Sequence, residues 1–498
     1  MKNIIAKKNI LLFVLTLLLW AGCSKDFLDR KPLGELTYDT YFETEDHAIW
    51  ATNAIYQQFR TWECIAFSWI GNTDIISDDA DKGSTPTDAL YMLDIDEFTF
   101  DATNSTFGWL WEGYYHAIFR ANLAIENIPG IDMNEELRDR LVGEAKFLRA
   151  YSYFNLVRWF GDLPIVIRPL EPDEFYTQIR QSEAEVYRQI ELDLKDAIAV
   201  LPEKSEYDSG DLGRVTKGAA RGMLAKVYLT RGDYLNCEKY CREVIESNEY
   251  DLWPNYAEIF QRVGENCSES LFEIQATALS TGSLVAASPY NMIQGVRGVP
   301  NLGWGFNRPS DDLVAEFEFL DPRLEATILK PGEPLPDGST VVQDNPEILN
   351  ERYNQKAWVP AHPGLQDNGP GNIRILRYAD VLLMMAEALN EQGLSGDALP
   401  YLNQVRTRAR NPYPPQIVPD VTTTDQAELR LKIWHERRVE LGMEQHRWFD
   451  LLRTGRTAER MTAVGKTNFD ANKHLLLPLP QTEIDVSGGV LEQNPGYN

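Results

Sequence analysis

The stretch Ser77 to Asp88, SDDADKGSTPTD, crowds the carboxylates of Asp78, Asp79, Asp81 and Asp88 together, and a hard cation such as calcium takes oxygen ligands of this kind. The spacing is not that of an EF-hand loop, because the twelfth position counted from Asp79 is Leu90 and not glutamate. A solvated acidic loop is the competing reading, and the spacing favours it. A second stretch, HERRVELGMEQH, places Glu436 after His435 but Val439 where a zinc-binding HExxH motif needs its second histidine. No GxSxG elbow and no GxxxxGK[ST] loop occurs. With 75 acidic residues chance pairs abound, so a paired-carboxylate glycosidase is a question of spatial separation that sequence does not answer. Acids and bases alternate through Glu436, Arg437, Arg438, Glu440, Glu444, Arg447 and Arg453, which favours a structural network between helices over catalysis.

Aromatic residues offer the other usable chemistry, since a flat ring can stack on the apolar face of a sugar for roughly 1 kcal/mol or more. Of twelve tryptophans, Trp50, Trp109, Trp111, Trp159, Trp434 and Trp448 sit on helical patterns, where core packing is expected. Trp62, Trp69, Trp304 and Trp358 lie in non-periodic stretches, where a ligand platform and a loop anchor compete.

The elements that must position these groups are mostly helices. In GEAKFLRAYSYFNLVRWFGDLPIV, Leu141, Ala145, Leu148, Ser152, Leu156 and Trp159 recur at helical spacing, and Phe147, Tyr151 and Phe154 add a second stripe, as a helix buried between neighbours requires. Counted from Gly232, the positions −7, −4, +5, +9 and +12 hold Ala225, Tyr228, Cys237, Cys241 and Val244; counted from Gly393 they hold Ala386, Leu389, Ala398, Leu402 and Val405. One unit is thus used twice, and it resembles the tetratricopeptide repeat, two antiparallel helices with a glycine turn and small residues at the close crossing. The segments 106–128 with 141–160, and 428–452, are candidates to complete the stack. Long Gly-, Pro- and Asn-rich stretches at 62–100 and 253–372 interrupt this pattern, and binding surfaces usually sit in such insertions.

Composition narrows the class. The chain has 498 residues and a formal net charge of −27, which argues against nucleic acid or an anionic membrane surface as partner. With 43% hydrophobic and 11% aromatic residues it can bury a large core. Five cysteines and no CxxC pair make a disulfide scaffold or a structural zinc improbable, and Cys237 and Cys241, four apart on one helix face, are expected as buried thiols. At the N-terminus, Lys2, Lys7 and Lys8 precede the apolar run 10–21, which is too short to span a bilayer, and small residues then lead to Cys23. WAGC resembles the lipobox of bacterial lipoproteins, which implies a signal peptide at 1–22, a lipidated Cys23 and an N-terminal tether over 23–45. Without residues 1–22 the formal charge is −30.

Taken in order, GEAKFLRAYSYFNLVRWFGDLPIV, GRVTKGAARGMLAKVYLTRGDY, ILRYADVLLMMAEALNEQG with ALPYLNQVRTRAR, ERRVELGMEQHRWFDLLRTG, and LLLPLPQTEI with EQNPGY resemble the SusD/RagB family of Bacteroidetes nutrient-binding lipoproteins. The resemblance implies a mainly α fold: one domain over 46–498, with a tetratricopeptide-like scaffold of about four repeats (46–252 and 373–460), an irregular lobe with short strands (253–372) and a C-terminal segment (461–498). It further implies a non-catalytic glycan-binding protein, without cofactor, lipid-anchored on the outer membrane and facing outward. Its partner would be a SusC-like, TonB-dependent barrel to which it delivers oligosaccharide. Peptide cargo with the same partner, or a helical glycoside hydrolase, are the alternatives. The family's ligand residues follow no fixed motif, so candidates are chosen on chemistry: Trp69, Trp304 and Trp358 for stacking, and Asn72, Asp74, Asp78, Asn291 and Arg297 for sugar hydroxyls.

Overall fold

Helix-forming periodicity becomes a stack of hairpins in the computed structural model, which describes residues 41–278, 286–297, 303–342, 351–360 and 368–497. Cys23, the signal segment and most of the tether lie outside the described residues. The long helices are α1 (Glu45–Gln58), α2 (Ser105–Asn127), α3 (Glu135–Phe160), α4 (Glu183–Val200), α5 (Lys217–Thr230), α6 (Tyr234–Glu246), α7 (Tyr378–Glu391), α8 (Ser395–Arg410) and α9 (Gln426–Leu441). Each of α1 to α8 packs against the next, giving four successive hairpins, and α9 covers α7. The fold is mainly α with a tetratricopeptide-like scaffold, as expected. The pairing differs in one respect. The first hairpin is α1 with α2, so α3 pairs forward with α4 as well as back onto α2.

Local chemistry sets the helix ends. Asn134 caps α3 by accepting from Leu137 N, Glu135 and Glu136 favour its positive N-terminal end, and Gly161 at φ +71° stops it. Between α5 and α6, Gly232 takes φ +71° and Asp233 caps the next helix through Asn236 N at 3.1 Å; Gly393 at φ +80° plays the same part between α7 and α8. The alanines at the offsets, Ala225, Ala386 and Ala398, are fully buried, as close helix crossings require. The cysteines Cys64, Cys237, Cys241 and Cys267 are free and buried.

The irregular insertions are tied together by short strands. β1 (Ala80–Gly83) pairs antiparallel with β3 (Phe306–Pro309), joining 62–100 to the lobe. β2 (Ser270–Ile274) pairs with β6 (Ile373–Arg377) beside α5, while β4 (Ile328–Leu329) pairs with β5 (Tyr353–Asn354).

Beneath them lies a buried ionic lattice built largely from the ERRVELGMEQH stretch. Glu436 pairs with Arg323 and Arg406, Glu440 with Arg323, Arg377 and Arg408, and Glu444 with Arg377 and Lys356. Surrounding guanidiniums hold Glu444 down to about 2 despite its burial. Two histidines at its edges give stability a pH dependence. His435 donates toward Glu316 at 2.8 Å, with Glu318 also facing it, and these acids raise it to about 9 against the cost of burial. Its folded value lies above its unfolded one, so its contribution is complete below about 6.5 and is lost as pH rises through 9. His446 is half-buried beside Lys226 Nζ at 2.8 Å, and desolvation with that neighbour lowers it to about 3. Its contribution is present above about 6.5 and is lost as pH falls toward 3. Thermal unfolding of His435→Gln should therefore lose the decline in midpoint between pH 6.5 and pH 9 that the parent shows; an unchanged alkaline slope would contradict the ion-pair account.

Candidate functional site

Where the two insertions meet, aromatic side chains line up at the surface. Trp62 and Trp304 are half-buried, with ring centroids 5.8 Å apart and planes at 56°. Buried Phe67 sits under both, 5.7 Å from Trp62 and 5.9 Å from Trp304, and leads to Tyr91 at 5.8 Å. Tyr91 meets Trp109 of α2 edge to face at 5.6 Å. Trp62, Trp304, Tyr91 and Trp109 thus form an arc of half-exposed rings over a buried aromatic base.

The backbone around Trp304 explains how it is held. Trp304 N donates to Met292 O at 2.8 Å, and Ser84 N donates to Gly305 O at 2.7 Å. A Cβ on Gly83 would lie 2.5 Å from Gly305 O, so a larger residue there would push the two insertions apart, and both glycines have the positive φ that strains other residues. Polar groups flank the arc. Arg297 donates to Ser84 Oγ at 2.6 Å and pairs with Asp88, which this and the Ser84 hydroxyl hold below its usual range. Lys82 Nζ donates to the carbonyls of Thr85 and Asp88 and lies 5.4 Å above the Phe306 ring.

Among the residues chosen on chemistry, Trp304 and Arg297 stand at this surface, and the others do not. Trp69 is buried against Tyr290. Trp358 fills a small core with Val296, Leu329 and Tyr353. Asn291 anchors a lobe turn by donating to Ala357 O at 3.0 Å. Asn72 donates to Ser68 O at 2.7 Å and accepts from Trp159 Nε1 through its carbonyl. Asp74 accepts from Asn307 and from the Gln445 side chain and backbone, and burial pushes it up to about 7. These five side chains are buried inside the protein and present nothing at this surface.

The acidic stretch is also corrected, for it is neither a solvated loop nor a cation cradle. Asp78 is buried and takes both Nε and Nη2 of Arg447, at 2.7 and 2.8 Å, together with Arg460 at 2.8 Å. Asp79 pairs with Arg438 at 2.8 Å, Asp81 with Arg308, and Asp88 with Arg297. A guanidinium thus pairs with each of the four carboxylates, and no cluster of metal-ligating side chains occurs among the described residues.

Three members of the arc escaped the sequence choice, Tyr91 without being singled out at all. Trp62 was grouped with the insertion tryptophans and not selected, and Trp109 was placed in the core. A signal for Trp109 existed, because Trp109 and Trp111 are two apart on one helix and face nearly opposite ways, so only a helix buried all round could hold both in the core.

Two family models match the chain: one described as the SusD family over residues 268–497, the other as "Starch-binding associating with outer membrane" over 26–229. A SusD-like protein P2 of Formosa agariphila is 30% identical, the match covering 99% of this chain and 100% of that protein. A SusD-like protein of Bacteroides ovatus is 29% identical over 90% of this chain and 83% of its own length. Among solved structures, a laminarin-binding SusD-like protein superposes with a TM-score of 0.77 at 30% identity, covering 91% of this chain and all of that one. Surface glycan-binding protein A of Bacteroides thetaiotaomicron, in complex with laminarihexaose, gives 0.75 at 26% identity, covering 91% and 99%.

Proposed function

The chain belongs to the SusD family, and from that premise we propose that it is a non-catalytic glycan-binding lipoprotein of the outer membrane that captures oligosaccharide for a SusC-like barrel transporter. The observation that carries the reading is the arc of Trp62, Trp304, Tyr91 and Trp109, whose half-exposed rings can stack on successive sugar faces. Relatives described as binding laminarin and laminarihexaose support a glycan as the class of ligand. Two acids beside the Trp304 end of the arc support binding without turnover. Asp88 and Asp81 are each engaged by an arginine, and Asp88 is held well ionised, the reverse of what a general acid needs.

The test is retardation on affinity gels carrying a panel of neutral polysaccharides, with parallel assay for reducing ends. Slowing by one polymer class and no product is expected; retardation by none, or release of product, would overturn the reading. The anchor is testable separately. Cys23→Ala should release the protein from the membrane fraction, because the diacylglyceryl group that a lipobox cysteine receives is what supplies the two chains stable attachment needs. Unchanged surface display of this variant would refute lipidation at Cys23.

A further inference from the structure

Trp109 also lines a groove of about 880 Å³ between α2, residues 164–178 and residues 480–491. This is a different surface from the Trp304 end of the arc. It falls in the size range of small-molecule sites, about 300–1,000 Å³. Trp111 and Tyr115 pack there with centroids 4.8 Å apart and planes tilted by 40°, and the Tyr115 hydroxyl donates to Pro164 O at 2.8 Å, fixing one wall to the other. Tyr176 stands at the rim, 56% exposed. Trp111 is only 6% exposed, and no acceptor among the described residues takes its Nε1–H. Glu112, Glu483 and Asp485 supply carboxylates to the same groove, His116 lines it as well, and among the described residues no lysine or arginine does.

We infer that this groove is a second saccharide site, selective for uncharged sugar rings. The inference rests on the glycan-binding reading of the chain and concerns a surface that meets the arc only at Trp109. A sugar hydroxyl can both donate and accept, so it can take the Trp111 N–H and donate to a carboxylate, while the ring's C–H face lies on the indoles. A purely apolar guest would leave the N–H and the acids desolvated without partners. A uronic acid or sulfated sugar would meet three carboxylates and neither a lysine nor an arginine. Burial, and after it repulsion from Glu112, already raise Glu483, so a further anion is disfavoured there.

Calorimetry on the mature chain with neutral hexasaccharides (β-1,3-glucan, α-1,4-glucan and β-1,4-mannan) and a hexauronate separates the outcomes. For the neutral sugar that binds, two sites are expected. Trp304→Ala should remove one, and Tyr176→Ala with Glu483→Gln the other, each leaving its neighbour within about twofold. In Trp304→Ala, the hexauronate should bind the remaining site at least about tenfold more weakly than the neutral sugar. A single site that is lost in Trp304→Ala and untouched by the groove double variant would overturn the second site and leave the proposed function standing. Equal affinity for the hexauronate in Trp304→Ala would overturn the selectivity. Binding of none of the neutral sugars would count against both readings.

Discussion

Glu440→Ala should be among the most damaging single substitutions, costing roughly 3–5 kcal/mol, because it strips a buried cluster of cations of their shared anion. Glu440 has no exposed side-chain surface and faces Arg377 at 3.0 Å, Arg323 at 3.1 Å and Arg408. Those guanidiniums keep other partners: Arg323 retains Asp321 and Glu436, and Arg377 retains Glu269 and Glu444. The loss is therefore less an unmet hydrogen bond than three positive charges left close together in a dry interior. That the lattice is costly to break does not mean that it is a net source of stability. Replacing all of it by well-packed apolar residues could be neutral, since each ion also gave up its water. Its position suggests another use: Arg323 and Lys356 come from the lobe and Arg377, Arg408 and Glu440 from the scaffold, so the charges specify how one sits on the other. For a chain of this size the midpoint should fall by roughly 3–6 °C in calorimetry. Arg168→Ala, which breaks an exposed pair with Glu174, should shift it by less than about a degree. Equal shifts in the two variants would contradict the argument.

The helical scaffold was readable because its determinants are local. Periodicity names the buried stripe of α3, and a glycine with flanking small residues names the α5–α6 and α7–α8 turns, all within some thirty positions. The site was not readable, because its determinants are distant. Asp78 looks like a surface acid or a metal ligand in its own stretch; it is a buried anion because Arg438, Arg447 and Arg460 arrive from the far end of the chain. Trp69 and Trp358 share their residue type and irregular context with Trp304, and only the tertiary fold decides which ring faces water. Pairing of β1 with β3 makes that decision, bringing Gly83 against Gly305 and so presenting the neighbouring indole beside Trp62. Nothing in either insertion alone announces that register.

That difference between rings of the same type makes the second large prediction discriminating. Trp304→Ala should weaken oligosaccharide binding by at least about tenfold, since it removes a stacking face and also the neighbour that orients Trp62. Its effect on stability should be modest, because the ring is half-exposed and the backbone bonds through Trp304 N and Gly305 O do not need the indole. Trp358→Ala should do the reverse. That indole is 9% exposed among Val296, Leu329 and Tyr353, so its removal leaves a cavity costing roughly 3–5 kcal/mol. Folded Trp358→Ala should still bind within about threefold of the parent, as the arc is intact. Measuring affinity by calorimetry and stability by denaturant titration on both variants separates the two roles. If Trp358→Ala lost binding while remaining folded, or Trp304→Ala kept parental affinity for an oligosaccharide the parent binds at a single site, the ligand would have to lie on a surface other than the arc.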